Sequence, residues 1–328
     1  MKSLLKIRSL SMKTFLTLFL SITIASSVQA HSAPDAPKAM TVSEGVAAFG
    51  WDFESAKITV QDLGNGLSVL FGLGGNIVTS IGPDGTFIID DQFEGMIPKV
   101  VEAIGDLGGD DVDFAVTTHW HFDHADGNLA LGPAGTWLVA HENSRQMMKD
   151  DHVVNMVGLA VLQEAYPESA WPDITYDSSM RFHINGQTVE LMHFGPAHTT
   201  GDTAVYFREA NVLHMGDVFN NTGYPFIDAD NGGTLDGLVA FCEGVLAIIN
   251  EETIVVPGHG ATASTADLAL YTRDLAAIRD RLAAHVKNGL DLNEIVDIKP
   301  TSDFDETYGD NTQFINRAVK SLTYRYHQ

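Results

Sequence analysis

The chain has 328 residues, with 19 Lys and Arg against 43 Asp and Glu, a formal charge of −24. A surface that acidic repels phosphate backbones, which argues against a nucleic-acid partner. One cysteine, Cys242, rules out a disulfide within the chain, so stability must come from a core, from metal, or from both.

The first residues read as a targeting segment. Lys2, Lys6, Arg8 and Lys13 precede an apolar run from Phe15 to Ala25, and SSVQA ends at Ala30. A basic start, a short apolar middle and small residues before a cleavage point predict a signal peptide over residues 1–30, cut after Ala30. The apolar run falls short of the roughly 20 residues of a membrane span, so no stable membrane association is expected after cleavage. Met12 opens a second, tidier version of the same signal. Removal takes away four basic residues and no acidic ones, so −24 becomes −28. The expected mature chain, residues 31–328, is a single periplasmic domain that buries about three-quarters of its unfolded surface.

From Ile58 the pattern is short apolar runs broken by glycine: ITVQDL, LSVLFG, NIVTSIG and TFIIDD. These predict strands, with GPDG at 82–85 a hairpin turn. EGMIPKVVEAIGDLG has helical spacing at Ile97, Val100, Val101 and Ile104. VDFAVTTHW predicts a buried strand and TWLVAHE another. Residues 143–180 are less regular and are expected to form a helical insertion with loops near the site. Strand rhythm resumes at RFHI, TVELMHFG, TAVYFRE, NVLHMGD and TIVVPGHG, interrupted by a helix over 234–250. Within it Cys242 reads as a buried, inert thiol. A helical C-terminal extension starts at about 264, with a long helix to 288 and a terminal one over 312–325. Strands followed by helices, twice over, predict an α/β sandwich of two sheets with helices outside.

The chemistry gathers where strands end. His119 and His121 leave one strand two residues apart, and Asp123 and His124 follow on the turn. His198 follows TVELMHFG, Asp217 follows NVLHM, and His259 follows TIVV between glycines. Histidine nitrogens and carboxylate oxygens converging from rigid strand ends suit a metal site with an open position.

HWHFDH, PAHTTGD, MGD and PGHG, in that order over about residues 58–262, resemble the metallo-β-lactamase superfamily of dinuclear hydrolases. The resemblance implies an αββα sandwich of two mixed sheets, with two Zn2+ ions per chain in a cleft at one edge. Iron and manganese suit the same ligands. It implies that His119, His121 and His198 hold one metal. Asp123, His124 and His259 would hold the other, and Asp217 would bridge or join the second as in the glyoxalase II ligand set. Diiron oxygen-reducing relatives have glutamate where His121 stands, so redox chemistry is disfavoured. The implied reaction is hydrolysis of a small-molecule substrate by metal-activated water, with Asp123 orienting the nucleophile. Export suggests β-lactam amides as substrate, similar to the VarG-type lactamases. A glyoxalase II-like thioesterase, a lactonase or other esterase is the alternative, and a non-catalytic metal-binding protein is a third reading.

Among the remaining residues, the resemblance makes Asp90, at the end of TFIIDD, the candidate support for the metal loop from behind. Trp120 and Phe122 are expected to pack beneath the ligands, and Asn220, Asn221 and Tyr224 are candidate substrate contacts. His141, His152, His183, His193, His285 and His327 have no matching motif and read as structural. His214 reads as a core histidine, and His31 follows the cleavage point.

Overall fold

The computed structural model describes residues 38–326. The expected signal peptide and cleavage point, with His31 and His327, lie outside the described residues. The described residues group as one compact unit, and no helix among them is long and apolar enough to cross a membrane.

The chain enters through strand β1 (Met40–Thr41) and helix α1 (Val42–Ala48), where Thr41 and Glu44 form a capping box. A meander follows: β2 (Thr59–Gly64), β3 (Leu67–Phe71), β4 (Ile77–Gly82) and β5 (Gly85–Ile89). Asn65 and Gly66 both take positive φ, as a two-residue hairpin with the right twist requires. Pro83 and Asp84 make the turn expected from GPDG. Helix α2 (Ile97–Asp106) buries Ile97, Val100 and Ile104 and returns the chain to β6 (Val112–Thr117), parallel to β5. Beyond the histidine cluster come α3 (Phe122–Ala125), α4 (Asn128–Ala134) and β7 (Trp137–His141).

Residues 143–180 are not the expected helical insertion. Apart from α5 (Glu142–Met147) and a single 3-10 turn at Glu168–Ala170, the regular structure here is extended: β8 (His152–Asn155), β9 (Ala160–Gln163) and β10 (Ile174–Tyr176). HVVN and AVLQ supply residues that suit a pleated surface, and they pair antiparallel across a turn where Val157 and Gly158 take positive φ. Pro167 and Pro172 keep the rest from continuing as helix.

The second half lays down β11 (Ser179–Ile184), β12 (Gln187–Met192), β13 (Ala204–Phe207) and β14 (Val212–His214). Helix α6 (Leu235–Leu246) leads to β15 (Ile254–Val256) and β16 (Ala263–Ser264). Helices α7 (Thr265–Lys287), α8 (Leu292–Ile298), α9 (Asp305–Tyr308) and α10 (Thr312–Tyr326) complete the chain. Cys242 is fully buried in α6, and burial pushes its thiol up to about 12, in line with an inert role.

Two mixed sheets form, β10-β7-β6-β5-β4-β3-β2 and β11 through β16 in sequence order, with β1-β9-β8 a third, small one. Strand alternation decides what each residue packs against. Phe87 and Ile89 of β5 face Val189, Leu191, Val205 and Phe207 of the other sheet, whereas Ile88 faces α2. Likewise Val212 of β14 points between the sheets, and Leu213 points out at the core shared with α6, α7 and α10. Helix, sheet, sheet, helix is the αββα sandwich expected.

At the ends of β5 and β12 farthest from the histidines, Asn185 fastens the two sheets. Its amide nitrogen donates to the Gly85 carbonyl at 2.9 Å, and its backbone N–H donates to Asp84 Oδ2 at 2.8 Å.

Candidate metal centre

Five of the seven candidate ligands arrive from strand ends on one edge of the sandwich, and Asp123 and His124 lie on α3 just beyond β6. β6 runs into Thr118–His121, β12 into the loop carrying His198, β14 into the turn carrying Asp217, and β15 into Pro257-Gly258-His259. Close approach there needs glycine: a Cβ on Gly258 would lie 1.9 Å from Asp217 Oδ1, and one on Gly75 2.1 Å from the His124 ring.

The side chains gather in overlapping groups, each with ligand atoms within 4.8 Å of one another: His119, His121 and His198; His119, His124 and Asp217; and Asp123, His124 and His259. His198 Nε2 and His121 Nδ1 are 2.9 Å apart. His124 Nε2 lies 3.2 Å from His259 Nε2 and 3.1 Å from Asp217 Oδ1. Asp123 Oδ2 lies 3.2 Å from His259 Nε2. The two oxygens of Asp217 divide: Oδ1 faces His124 and His259, and Oδ2 lies 3.8 Å from His198 Nε2. Asp217 therefore stands between the two halves.

The outward nitrogens are already committed. His119 Nδ1 meets Thr118 Oγ1 at 3.0 Å, and His124 Nδ1 meets Asp90 Oδ2 at 2.7 Å. His121 Nε2 meets Asp228 Oδ2 at 2.9 Å, and His198 Nδ1 meets the Phe226 carbonyl at 2.8 Å. Each bond fixes a ring and leaves its other nitrogen facing the centre, the arrangement that metal-ligating histidines adopt. His119 Nε2 is buried without a partner. Buried polar atoms normally find one, so an inward lone pair with no donor fits a dication, and a nitrogen and carboxylate set suits zinc.

Charge reinforces the fit. Burial, followed by the nearby His124 and His198, pulls the His119 pKa well below the ordinary histidine value. Burial also opposes charge on His124 and His259, yet carboxylates win: Asp217, Asp123 and Asp90 hold His124 well above its usual value, and Asp217 and Asp123 raise His259 to about 10. The Asp217 and Asp123 carboxyls stay ionised despite burial because these imidazoles face them. The centre stabilises positive charge between its carboxylates.

Sequence-predicted neighbours divide into those at the site and those away from it. Asp90 stands behind His124 and also accepts from the Thr118 N–H at 2.6 Å. Trp120 and Phe122 are buried beside the ligands. Asn220 lines the cleft, its Oδ1 held by the Thr222 N–H at 2.8 Å. Tyr224 does not: it stacks on Phe314 at 4.7 Å and donates to Asp305 at 2.8 Å, part of the packing under α10. Asn221 instead braces the His259 loop, its amide donating to the Ala261 carbonyl at 3.0 Å. His214 is a core residue, its Nδ1 accepting from the Gly216 N–H and its Nε2 donating to the Asn76 carbonyl. His141 and His193 stack on each other at 3.9 Å, each bonded to a backbone carbonyl.

The cleft over the centre has a volume of about 200 Å³. Phe49, Trp51, Val154, Met156 and Phe226 make its apolar wall, and no lysine or arginine is among its described lining residues. Sequence reading missed Asp228 and this aromatic wall. FIDADN offers three acidic or amide side chains with nothing to single out one, and WDF looks like any amphipathic loop.

The sequence profile of the metallo-β-lactamase superfamily matches residues 61–280. The alpha subunit of 2,4-dinitroanisole O-demethylase from Nocardioides sp. (strain JS1661) is 26% identical over 230 residues. That alignment takes in 65% of this chain and 61% of the relative, so the chain spans under two-thirds of the relative's length. Among solved structures, the DIM-1 metallo-β-lactamase superposes with a TM-score of 0.54 at 18% identity, over 67% of this chain and 97% of that one. A metallo-β-lactamase from Pontibacter korlensis superposes at 0.53 and 19%, over 67% and 99%. At such identity these likenesses speak for the fold. A profile match across two-thirds of the chain, together with the strand-end histidines and carboxylates, makes the protein a member of the metallo-β-lactamase superfamily of generally hydrolytic metalloenzymes.

Proposed function

We propose that the protein is an exported two-zinc hydrolase that opens β-lactam amides. The observation that carries the hydrolytic reading is the inward convergence of imidazole nitrogens and two carboxylates whose outer atoms are already bonded. The first ion would sit with His119, His121 and His198, the second with Asp123, His124 and His259, and Asp217 would lie between them. When bound, such ions lower the pKa of water toward neutrality and polarise the scissile carbonyl. Asp123, partly open to the cleft, orients the attacking water by accepting its hydrogen bond. The aromatic wall holds the apolar part of the substrate and excludes bulk water. Asn220, its oxygen held by Thr222, can offer its amide N–H to a substrate oxygen.

A second reading is hydrolysis of a thioester, lactone or other ester. It is supported by the apolar cleft lining, which supplies no cationic side chain among the described residues for a lactam's carboxylate. The demethylase name of the relative adds a neutral aryl ether to the substrates worth assaying.

The test is a panel on the zinc-loaded protein: a cephalosporin, a carbapenem, a thioester, a lactone and 2,4-dinitroanisole. Lactam turnover, abolished by Asp123→Ala in a folded protein, is the expected result. Two bound ions with no lactam turnover would sink the first reading, and no turnover of anything would leave a metal-binding protein. Export is checked by fractionating expressing cells, with His31 expected as the first residue of the periplasmic product.

A further inference from the structure

The C-terminal extension carries basic residues in NRAVKSLTYRYHQ that the hydrolytic reading leaves without a task. Two of them close on one carboxylate: Arg317 Nη1 bonds Asp230 Oδ2, and Lys320 Nζ bonds Asp230 Oδ1. Arg317 is 6% exposed, so its guanidinium is held in place by packing, while Asp230 and Lys320 lie toward solvent. Asp230 sits in the loop 226–233, and that loop holds the backs of two histidines. Its Phe226 carbonyl bonds His198 Nδ1 at 2.8 Å, its Asp228 carboxylate bonds His121 Nε2 at 2.9 Å, and its Asp228 N–H bonds the His198 carbonyl at 3.0 Å. Asn231 braces Asp228 at 2.9 Å and ties it to the Val153 carbonyl of β8 at 3.1 Å.

The other two buried rings are held differently. His119 leans on Thr118, and His124 on Asp90, both at the ends of the first sheet. Nothing in the 226–233 loop touches their outer nitrogens.

We infer that α10, through Arg317 and Lys320 on Asp230, positions the loop that orients His121 and His198, and so tunes one metal position selectively. The inference rests on the two-metal reading above. Arg317 and Lys320 are positioning residues: they reach no ligand, and they act through Asp230 and Asp228. Partners behind a ligating histidine change metal affinity by about 10–100-fold when removed. One residue further out, Arg317→Ala is expected at the lower end, about tenfold weaker binding at the His119/His121/His198 position. Binding at the Asp123/His124/His259 position should be unchanged.

The experiment uses the full chain. Stepwise zinc affinities are measured by chelator competition, and cobalt(II) absorption follows each position during titration. Thermal unfolding of the metal-free protein controls for folding. Arg317→Lys, which keeps one cationic donor, should restore most of the affinity. If Arg317→Ala does not fold, Asp230→Asn removes the charge with little change of shape and should give the same selective loss. Equal weakening of both positions, or unchanged affinities with a lower unfolding temperature, would overturn the inference and leave α10 a packing element. A wild-type chain that binds no zinc would overturn both the inference and the reading beneath it, whereas two tightly bound ions in every variant would overturn the inference alone.

Discussion

Asp90 offers the sharpest test of how the centre is built. It sits 1% exposed at φ 60, a left-handed conformation that Asp and Asn tolerate better than other non-glycine residues. One oxygen accepts from the Thr118 N–H at 2.6 Å; the other takes the Thr118 hydroxyl at 2.9 Å and His124 Nδ1 at 2.7 Å. Asp90→Ala leaves a buried N–H, the Thr118 hydroxyl proton and an imidazole N–H without an acceptor, each costing about 1–3 kcal/mol. Local relaxation makes such losses less than additive, so the expected destabilisation is about 3–5 kcal/mol, a large part of a typical domain's 5–15. Asp90→Asn keeps the backbone preference and an oxygen for Thr118 but removes the charge behind His124. It should cost about 1–2 kcal/mol and weaken zinc at the Asp123/His124/His259 position by about 10–100-fold. Urea unfolding of the metal-free variants reads the first effect, and chelator competition the second. An Asn variant that binds both ions as tightly as wild type would refute the claim that Asp90 orients His124.

Other consequences are open to simpler measurements. Zinc at a hundredfold over its dissociation constant should stabilise the fold by about 2.7 kcal/mol per ion, so a chelator should lower the melting temperature by roughly 5–10 °C; an unchanged melting curve would contradict a loaded site. Glu190 lies between Arg181 and Arg208, 2.6 Å from Arg181 Nη2 and 2.8 Å from Arg208 Nε. Burial works against its charge, but the two guanidiniums lower its pKa. That contribution is present above the ordinary glutamate pKa and is lost as pH falls through the lowered one. Glu190→Gln should therefore cost about 1 kcal/mol near neutrality, with the difference vanishing in acid; a pH-independent difference would count against the ion pairs. Phe49, 39% exposed and stacked on Trp51 at 4.9 Å, should matter only to substrates bearing an aromatic group. Phe49→Ala is expected to raise KM for such a substrate about tenfold with kcat unchanged, and an equal rise for a small acyl substrate would remove the wall from recognition.

The strands and the seven candidate ligands could be read from the sequence because each rests on local pattern. The apolar run in TFIIDD, the GPDG turn and histidines at strand ends all report their surroundings within a few residues. The errors came where distant segments decide. HVVN and AVLQ are each too short to announce a hairpin, and they become strands by pairing with each other and with Met40–Thr41. Asp228 gains its part only because His121, 107 residues earlier, lies against it. Tyr224 followed a ligand closely enough to suggest a substrate contact, yet α9 and α10 draw it into their own packing.

The clasp at Asn185 lies at the opposite end of the strands from the histidines, and it separates two kinds of change. Substitutions there are answered by the whole sandwich, because its turn, its side chain and Asp84 lock both sheets at once. Substitutions in the loops over the candidate metal centre are answered locally, by whatever a new surface will admit. A scaffold that is latched at its base and open at its lip can exchange one substrate for another over generations without renegotiating how it folds.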